Sequence, residues 1–210
     1  MKVFLTDAHY RHTLGAARAL ASDGAEAHVG SRRRYAFCTG AISSAERVLS
    51  NIHKIRSAAA LKPARFSWVV PTLLAASERP RTTLQLNWVK RQNLKAIVDL
   101  TESPVKLYEH YDGTYRKIPM KDHAGPSLPL LRDAVGFIRE QNSHGQAVLV
   151  HCLRGLGRTG TVLACYLIEE QKMRPEEAID AVRTTRPGSI EKVQEGSVSD
   201  YFKAYWRIMD

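Results

Sequence analysis

Cys152 and Arg158 are separated by five residues in His151-Cys152-Leu153-Arg154-Gly155-Leu156-Gly157-Arg158-Thr159-Gly160. A cysteine thiolate is a strong nucleophile, and a guanidinium can hold two oxygens of a phosphate with its planar fork. Gly155 and Gly157 let the intervening chain fold back so that its backbone N–H groups point inward as an anion cradle. The candidate anion-binding set is therefore His151, Leu153, Arg154, Gly155, Leu156, Gly157 and Arg158 around the sulfur of Cys152. The chemistry implied is attack by sulfur on a phosphate ester, with loop amides and Arg158 taking up the developing charge.

Such a loop needs a strand to deliver it and a helix to receive it. The apolar run Ala147–Val150 reads as a short buried strand leading in, and Thr161–Ile168 has the composition of a helix leading out. A helix starting at Arg158 adds unpaired N–H groups and positive partial charge, a field that favours a thiolate. Ester cleavage also requires a proton for the leaving oxygen. Asp122 in Ile118-Pro119-Met120-Lys121-Asp122-His123-Ala124-Gly125-Pro126-Ser127 is the candidate donor, with His123 as a neighbouring titratable alternative. The other reading of Asp122 is a cap for the helix that starts near Ser127. Asp99, at the end of another apolar run, either accepts a hydrogen bond from an active-site arginine or shapes a turn.

At these residues the chain resembles the cysteine-based protein tyrosine phosphatase superfamily, and most closely its small dual-specificity members of the atypical and archaeal kinds. Arg154 departs from the small residue common at that loop position. The resemblance extends to Phe66-Ser67-Trp68-Val69-Val70-Pro71 with Ala75–Pro80, and to Arg186-Pro187-Gly188-Ser189-Ile190-Glu191 followed by Gln194-Glu195. It implies an α/β fold in which a central mixed sheet is flanked by helices. It also implies that Asp122 is the general acid. The Thr159 hydroxyl would stabilise the departing Cys152 thiolate, its other reading being an ordinary helix N-cap. Gln194 would position the hydrolytic water, its other reading being a surface glutamine. His151 would orient the loop through backbone hydrogen bonds. The activity implied is metal-independent hydrolysis of phosphotyrosine and phosphoserine or phosphothreonine in proteins, through a phosphocysteine and without a cofactor. The rivals are a phosphoinositide or other polyphosphate substrate, which Arg154 and the positive charge favour, an RNA 5′-phosphate, and a non-catalytic phosphate-binding module.

The rest of the chain sets the frame. Residues 65–210 read as one α/β unit. Expected strands cover Phe66–Val70, Leu73–Ala76, Ala96–Leu100 and Tyr115–Pro119, and expected helices cover Thr82–Gln92, Leu128–Gln141, Thr159–Lys172, the segment from Pro175 and Glu191–Met209. Residues 1–60 read as a small βαβ-like appendage: a strand over Lys2–Thr6, a helix over His12–Ala21, a strand over Ala25–Val29, and a further helix over Ser43–Ala60. The first fifty residues also resemble the lobe that precedes an ATP-grasp domain. The 210 residues are 44% hydrophobic and 25% charged, with 31 Lys and Arg against 21 Asp and Glu, a net charge of +10. That excess either favours an anionic partner or is spread over a solvated surface. No aromatic-and-basic nucleic-acid module accompanies it, so no stable nucleic-acid complex is expected. Arg32–Arg34 form a short basic cluster. Three cysteines, Cys38, Cys152 and Cys165, make no disulfide framework, although sequence leaves open a redox role for Cys38 or Cys165. No run has the length of a membrane span, and Asp7, His9, Arg11 and His12 interrupt any leader-like stretch. A cytoplasmic enzyme that needs no metal is the expectation.

Overall fold

The structure, a computed structural model, describes residues 2–6, 26–30, 51, 61–109 and 111–209. The chain divides into two compact units, Met1–Ala59 and Ala60–Asp210. In the first, β1 (Lys2–Thr6) and β2 (Glu26–Gly30) pair in parallel, with Lys2 opposite Glu26 and Thr6 opposite Gly30. The expected helices over His12–Ala21 and Ser43–Ala60 (Asn51 apart), the Arg32–Arg34 cluster and Cys38 lie outside the described residues.

The second unit is built on a five-stranded sheet, β3 (Ser67–Val70), β4 (Leu74–Glu78), β5 (Leu94–Asp99), β6 (Thr114–Lys117) and β7 (Ala147–Cys152), in the order β3-β4-β7-β5-β6. β3 runs antiparallel to β4, and every other pair is parallel. The mixed sheet is thus a parallel core with one antiparallel edge. β7 is central and all six of its residues are buried, which is why its sequence reads as a continuous apolar run rather than an alternation.

Alternate residues serve opposite faces of the sheet. Leu74, Ala76, Val148 and Val150 join one core with Leu131, Ile138, Leu163, Ile168, Val182 and Tyr201. These come from α2 (Leu128–Ser143), α3 (Gly157–Gln171), α4 (Pro175–Thr185) and α5 (Lys192–Met209). Ala75, Ile97 and Leu149 join a smaller core with Leu86 and Val89 of α1 (Thr83–Arg91) and with Tyr108. The helices begin where local chemistry allows. Thr82 accepts a hydrogen bond from the Gln85 N–H at the start of α1, Pro129 lies in the first turn of α2, and Glu177 reaches back to the Arg174 N–H at 2.9 Å before α4.

Three boundaries bear on the site. β7 runs through Cys152, so the sulfur is carried by the last strand residue rather than by the loop. α3 begins at Gly157, one residue ahead of the expected Arg158. A 3-10 turn, Lys106–Tyr108, has no counterpart in the sequence pattern and places Tyr108 in the smaller core. α3 packs against α2, α4 and α5 and is buried along most of its length, so it is the rigid mount of the loop. Ile168, fully buried in this helix, should report on that mount: Ile168→Ala should lower unfolding free energy by about 2–5 kcal/mol in urea denaturation.

Candidate active site

The loop from Cys152 to Gly157 is held by close backbone approach. Gly155 has φ of +71°, a left-handed conformation, and a Cβ there would lie 2.2 Å from the Ser77 carbonyl oxygen. Ser77 and Glu78 are the β4 residues opposite His151 and Cys152, so the loop folds back over the end of the neighbouring strand. On the helix side, a Cβ at Gly157 would meet Gln194 Nε2 at 2.9 Å. Glycine is required at Gly155, where backbone occupies the space of a side chain; at Gly157 the buried Gln194 amide would have to shift.

A cavity of about 260 Å³ opens above the loop, lined by Cys152, Leu153, Arg154, Leu156, Gly157 and Arg158 together with Asp122, His123, Gly188 and Glu191. Arg158 is 3% exposed. Its Nη1 donates to the Met120 carbonyl at 3.0 Å and its Nη2 lies 2.9 Å from Asp122 Oδ1. Asp122 is exposed and follows the stretch after β6. It does not cap α2, whose N-cap residue is Ser127. The structure therefore brings Cys152, Arg158 and Asp122 to one cavity from β7, α3 and the loop after β6. Arg154 is exposed at the cavity rim and forms no hydrogen bond or ion pair among the described residues.

His123 also lines the cavity, but its Nδ1 is 3.0 Å from the Glu191 carboxylate. That hydrogen bond and the negative charge of Glu191 raise its pKa. The backbone of His123 is left-handed, with φ of +53°, which turns the chain just after Asp122. The other expected residues stand behind the cavity. Gln194 is 1% exposed, not a surface glutamine; its Oε1 accepts from the Glu191 N–H at 2.9 Å and its amide abuts Gly157. The Thr159 hydroxyl is buried without a hydrogen-bond partner among the described residues, and it does not cap α3, whose N-cap residue is Leu156.

His151 is fully buried. Its Nε2 lies 2.8 Å from the Tyr108 hydroxyl and its Nδ1 is 3.4 Å from the Cys152 carbonyl. Burial brings its pKa down to about 4, against the opposing pull of Asp99 and the Cys152 carbonyl, so the ring is neutral at neutral pH. Among the described residues Asp99 binds no arginine, which corrects that expectation; its turn reading holds. It accepts from the Thr101 N–H at 2.8 Å, the Thr101 hydroxyl at 2.7 Å, the Tyr115 hydroxyl at 2.9 Å and Lys117 Nζ at 3.0 Å. Burial alone would push the Asp99 carboxyl up, but the neighbouring His151 and the bonds from Thr101 and Lys117 outweigh it and hold the group below its ordinary range.

Three residues at the site carried no role in the sequence reading. Glu191 lines the cavity. Glu78, fully buried beside Cys152 in the sheet, pairs with Arg81 at 2.6 Å and Arg65 at 3.2 Å. Arg186 is 3% exposed and donates to Gly155 O at 2.6 Å, Arg65 O at 2.7 Å, Ser67 Oγ at 2.6 Å and Ala76 O at 3.1 Å. Burial lowers its pKa to about 10, with Cys152 acting to raise it and Arg65 adding to the depression. Cys165 is a free thiol packed in the core, and burial raises its pKa well above the ordinary value. Among the described residues no group of three or more His, Cys, Asp or Glu side chains is placed to hold a metal ion, and no helix is long and apolar enough to cross a membrane.

Residues 63–198 match the family model described as "Swiss Army Knife protein, DSP-PTPase phosphatase domain". The chain belongs to this phosphatase family. It is 34% identical over 121 residues to the phosphatidylglycerophosphate phosphatase PTPMT1 of Arabidopsis thaliana, a match covering 55% of this chain and 35% of the relative. It is 36% identical over 101 residues to the dual specificity protein phosphatase Mpk3 of Drosophila melanogaster, covering 47% of this chain and 25% of the relative. The match thus spans about a third or less of these relatives' own lengths. Among solved structures, Tk-PTP in the active form superposes with a TM-score of 0.60 at 27% identity, covering 67% of this chain and 97% of that one. PTPMT1 in complex with PI(5)P superposes with a TM-score of 0.62 at 22% identity, covering 69% and 99%, and shares the fold. The sheet and helices described above are accordingly those of a dual-specificity phosphatase fold.

In this DSP-PTPase domain, His151 ties stability to pH. Its folded pKa of about 4 lies below the ordinary 6.5, so the unfolded chain binds the proton more readily. The stabilisation from keeping the ring neutral is full above pH 6.5 and is lost as pH falls from 6.5 towards 4. Asp99, whose pKa is also depressed, adds its own loss only below about its ordinary 3.8. Thermal unfolding midpoints should therefore fall steadily between pH 6.5 and 4, and His151→Gln should flatten that slope.

Proposed function

We propose that this chain is a metal-independent phosphomonoesterase that works through a phosphocysteine and dephosphorylates phosphotyrosine and phosphoserine or phosphothreonine in proteins. The observation that carries this reading is the convergence of Cys152, Arg158 and Asp122 on one cavity, with Asp122 Oδ1 2.9 Å from Arg158 Nη2. A binding module needs the cradle and the arginine; it has no use for a nucleophile and an acid beside them.

The steps follow from the placement. A phosphate entering the cavity takes the loop amides and the Nη groups of Arg158, which releases Asp122 towards the leaving oxygen. The Cys152 thiolate attacks phosphorus as the P–O bond breaks, and protonated Asp122 gives its proton to the departing alcohol or phenol. Water then attacks the phosphocysteine, Asp122 takes a proton from it, and inorganic phosphate leaves as the S–P bond breaks. The buried hydroxyl of Thr159 is available to the departing thiolate. Gln194, behind Gly157, is the candidate to position the water. Catalysis on this reading resides in residues 65–210, with residues 1–60 an appendage. A catalytic thiolate suits a reducing compartment, and cytoplasmic placement is part of the proposal.

Hydrolysis of an aryl phosphate with and without a chelator tests the enzyme reading. Activity should persist in chelator, and Cys152→Ser should lower kcat by about a thousandfold or more. Asp122→Asn should slow esters with poor leaving groups by about 10²–10⁴-fold and activated aryl esters far less, because an activated phenolate hardly needs the proton. Equal losses on both would remove Asp122 from the acid role and turn attention to His123.

Exposed Arg154 favours a second reading of substrate, a phosphoinositide or other polyphosphorylated ester, in keeping with a relative that is a phosphatidylglycerophosphate phosphatase. A charge-assisted contact from Arg154 to a second phosphate is worth about 1.5–3 kcal/mol. On that reading Arg154→Ala should cost about ten- to a hundredfold in kcat/KM on a phosphoinositide and leave a simple aryl phosphate nearly unchanged. A uniform response would leave the phosphoprotein reading.

A further inference from the structure

Arg186 is a buried cation with no carboxylate partner among the described residues; all four of its acceptors are a hydroxyl or backbone carbonyls. Burying a guanidinium without a counter-ion is costly, so its position calls for a physical reason. Nη1 spends itself on the sheet side, at Arg65 O, Ser67 Oγ and Ala76 O. Nη2 reaches across to the Gly155 carbonyl at 2.6 Å. That carbonyl belongs to the same planar unit as the Leu156 N–H. No peptide bond among the described residues is cis, so in this unit the C=O and N–H point in opposite directions. Leu156 lines both the catalytic cavity and a neighbouring one of about 210 Å³, and Arg186 lines only the second. Leu156 therefore stands between the two, with Arg186 on its outer side. A donor that grips the Gly155 oxygen from the outer side turns the Leu156 N–H towards the anion on the inner side.

We propose that Arg186 is a positioning residue of the phosphate loop, fixing the Gly155–Leu156 peptide so that the Leu156 N–H becomes an anion donor. The proposal rests on the phosphatase reading above. Arg186 touches no substrate. It acts through one backbone amide, and its positive charge adds to the field around the Cys152 sulfur. The left-handed backbone of Gly155 is the complement of this clamp, since it permits the carbonyl to face outward while the loop closes.

The test compares wild type with Arg186→Lys, Arg186→Met and Ser67→Ala. The probes are orthovanadate as a competitive inhibitor and the Leu156 amide signal in ¹H–¹⁵N spectra on addition of inorganic phosphate. Lysine can satisfy the sheet-side acceptors but cannot also span to Gly155 O. Folded Arg186→Lys and Arg186→Met should raise the vanadate inhibition constant by about ten- to a hundredfold, and their Leu156 amide should not respond to phosphate. Should the methionine variant fail to fold, the lysine variant decides. Ser67→Ala removes a sheet-side bond only, so it should lower the thermal midpoint and leave vanadate binding and the Leu156 response as in wild type. A folded Arg186 variant with wild-type vanadate affinity and a wild-type Leu156 response would overturn the proposal and leave Arg186 a structural brace. Wild-type protein that neither binds vanadate nor hydrolyses an aryl phosphate would overturn the phosphatase reading itself, and this one with it.

Discussion

The site depends on how closely the loop and the first turn of α3 can approach three surrounding walls. Gly155 lies against the Ser77–Glu78 backbone of β4, Gly157 against Gln194, and Gly160 against Ser189 and Ile190, where an added Cβ would come within 2.9 Å of both side chains. A side chain at Gly155 would run into backbone, and one at Gly157 or Gly160 would force its neighbours to shift. The loop and the start of α3 are therefore clasped by the sheet on one side and by the end of the α4–α5 connection and the start of α5 on the other. Interiors packed this densely do not deform continuously, so the loop has one shape rather than a range. An anion cradle made of backbone amides needs that rigidity, because its donors act only when already aimed.

The polar groups beneath the loop extend the same constraint. Asp99 ends β5 and gathers donors from Thr101, Tyr115 and Lys117, so one carboxylate joins the ends of β5 and β6. Tyr108 then meets His151 at the end of β7. A buried polar group left without a partner is expensive, and a network satisfied at every member fixes a single arrangement of the strand ends. The strand ends are where Cys152 and the chain leading to Asp122 leave the sheet. Cys152 and Asp122 thus inherit their spacing from a network that touches no substrate.

Much of this was legible in the sequence. The β7 run, the glycines and Arg158 are neighbours in the chain, so their spacing alone encodes a strand, a turn and a helix start. Asp122 was legible because it lies in a loop punctuated by Gly125 and Pro126. Arg186 was not. Its acceptors lie 31 residues away at Gly155 and 121 away at Arg65, and nothing local separates it from the other basic residues of the chain. Glu78 was hidden for the opposite reason. A glutamate at a strand end reads as solvent-facing, and its full burial follows from Arg65 and Arg81, which only the fold brings to it. Asp99 stood between two readings because its neighbours in sequence suited a turn and its position at a strand end suited a partner in the site. The nearby Thr101 decided it: two bonds over two residues form without any long-range closure.

Depth sorts the three arginines around the loop into three kinds of work. Arg158 is buried at the cavity and faces Asp122. Arg186 is buried behind the loop and faces carbonyls. Arg154 is exposed at the rim and faces solvent. The effective dielectric falls with depth, so the first two act strongly over short distances and are little altered by salt. Arg154 and the wider +10 charge act through water, and mobile ions screen them beyond about 8–10 Å at physiological ionic strength. On the proposed reading, bond-making would rest on the loop with Arg158 in its buried setting, and the choice among anionic substrates on the exposed charge. On that reading Arg154 and its surroundings can vary without disturbing the buried groups below, because Gly155 holds the loop against the β4 backbone, where an added Cβ has no room.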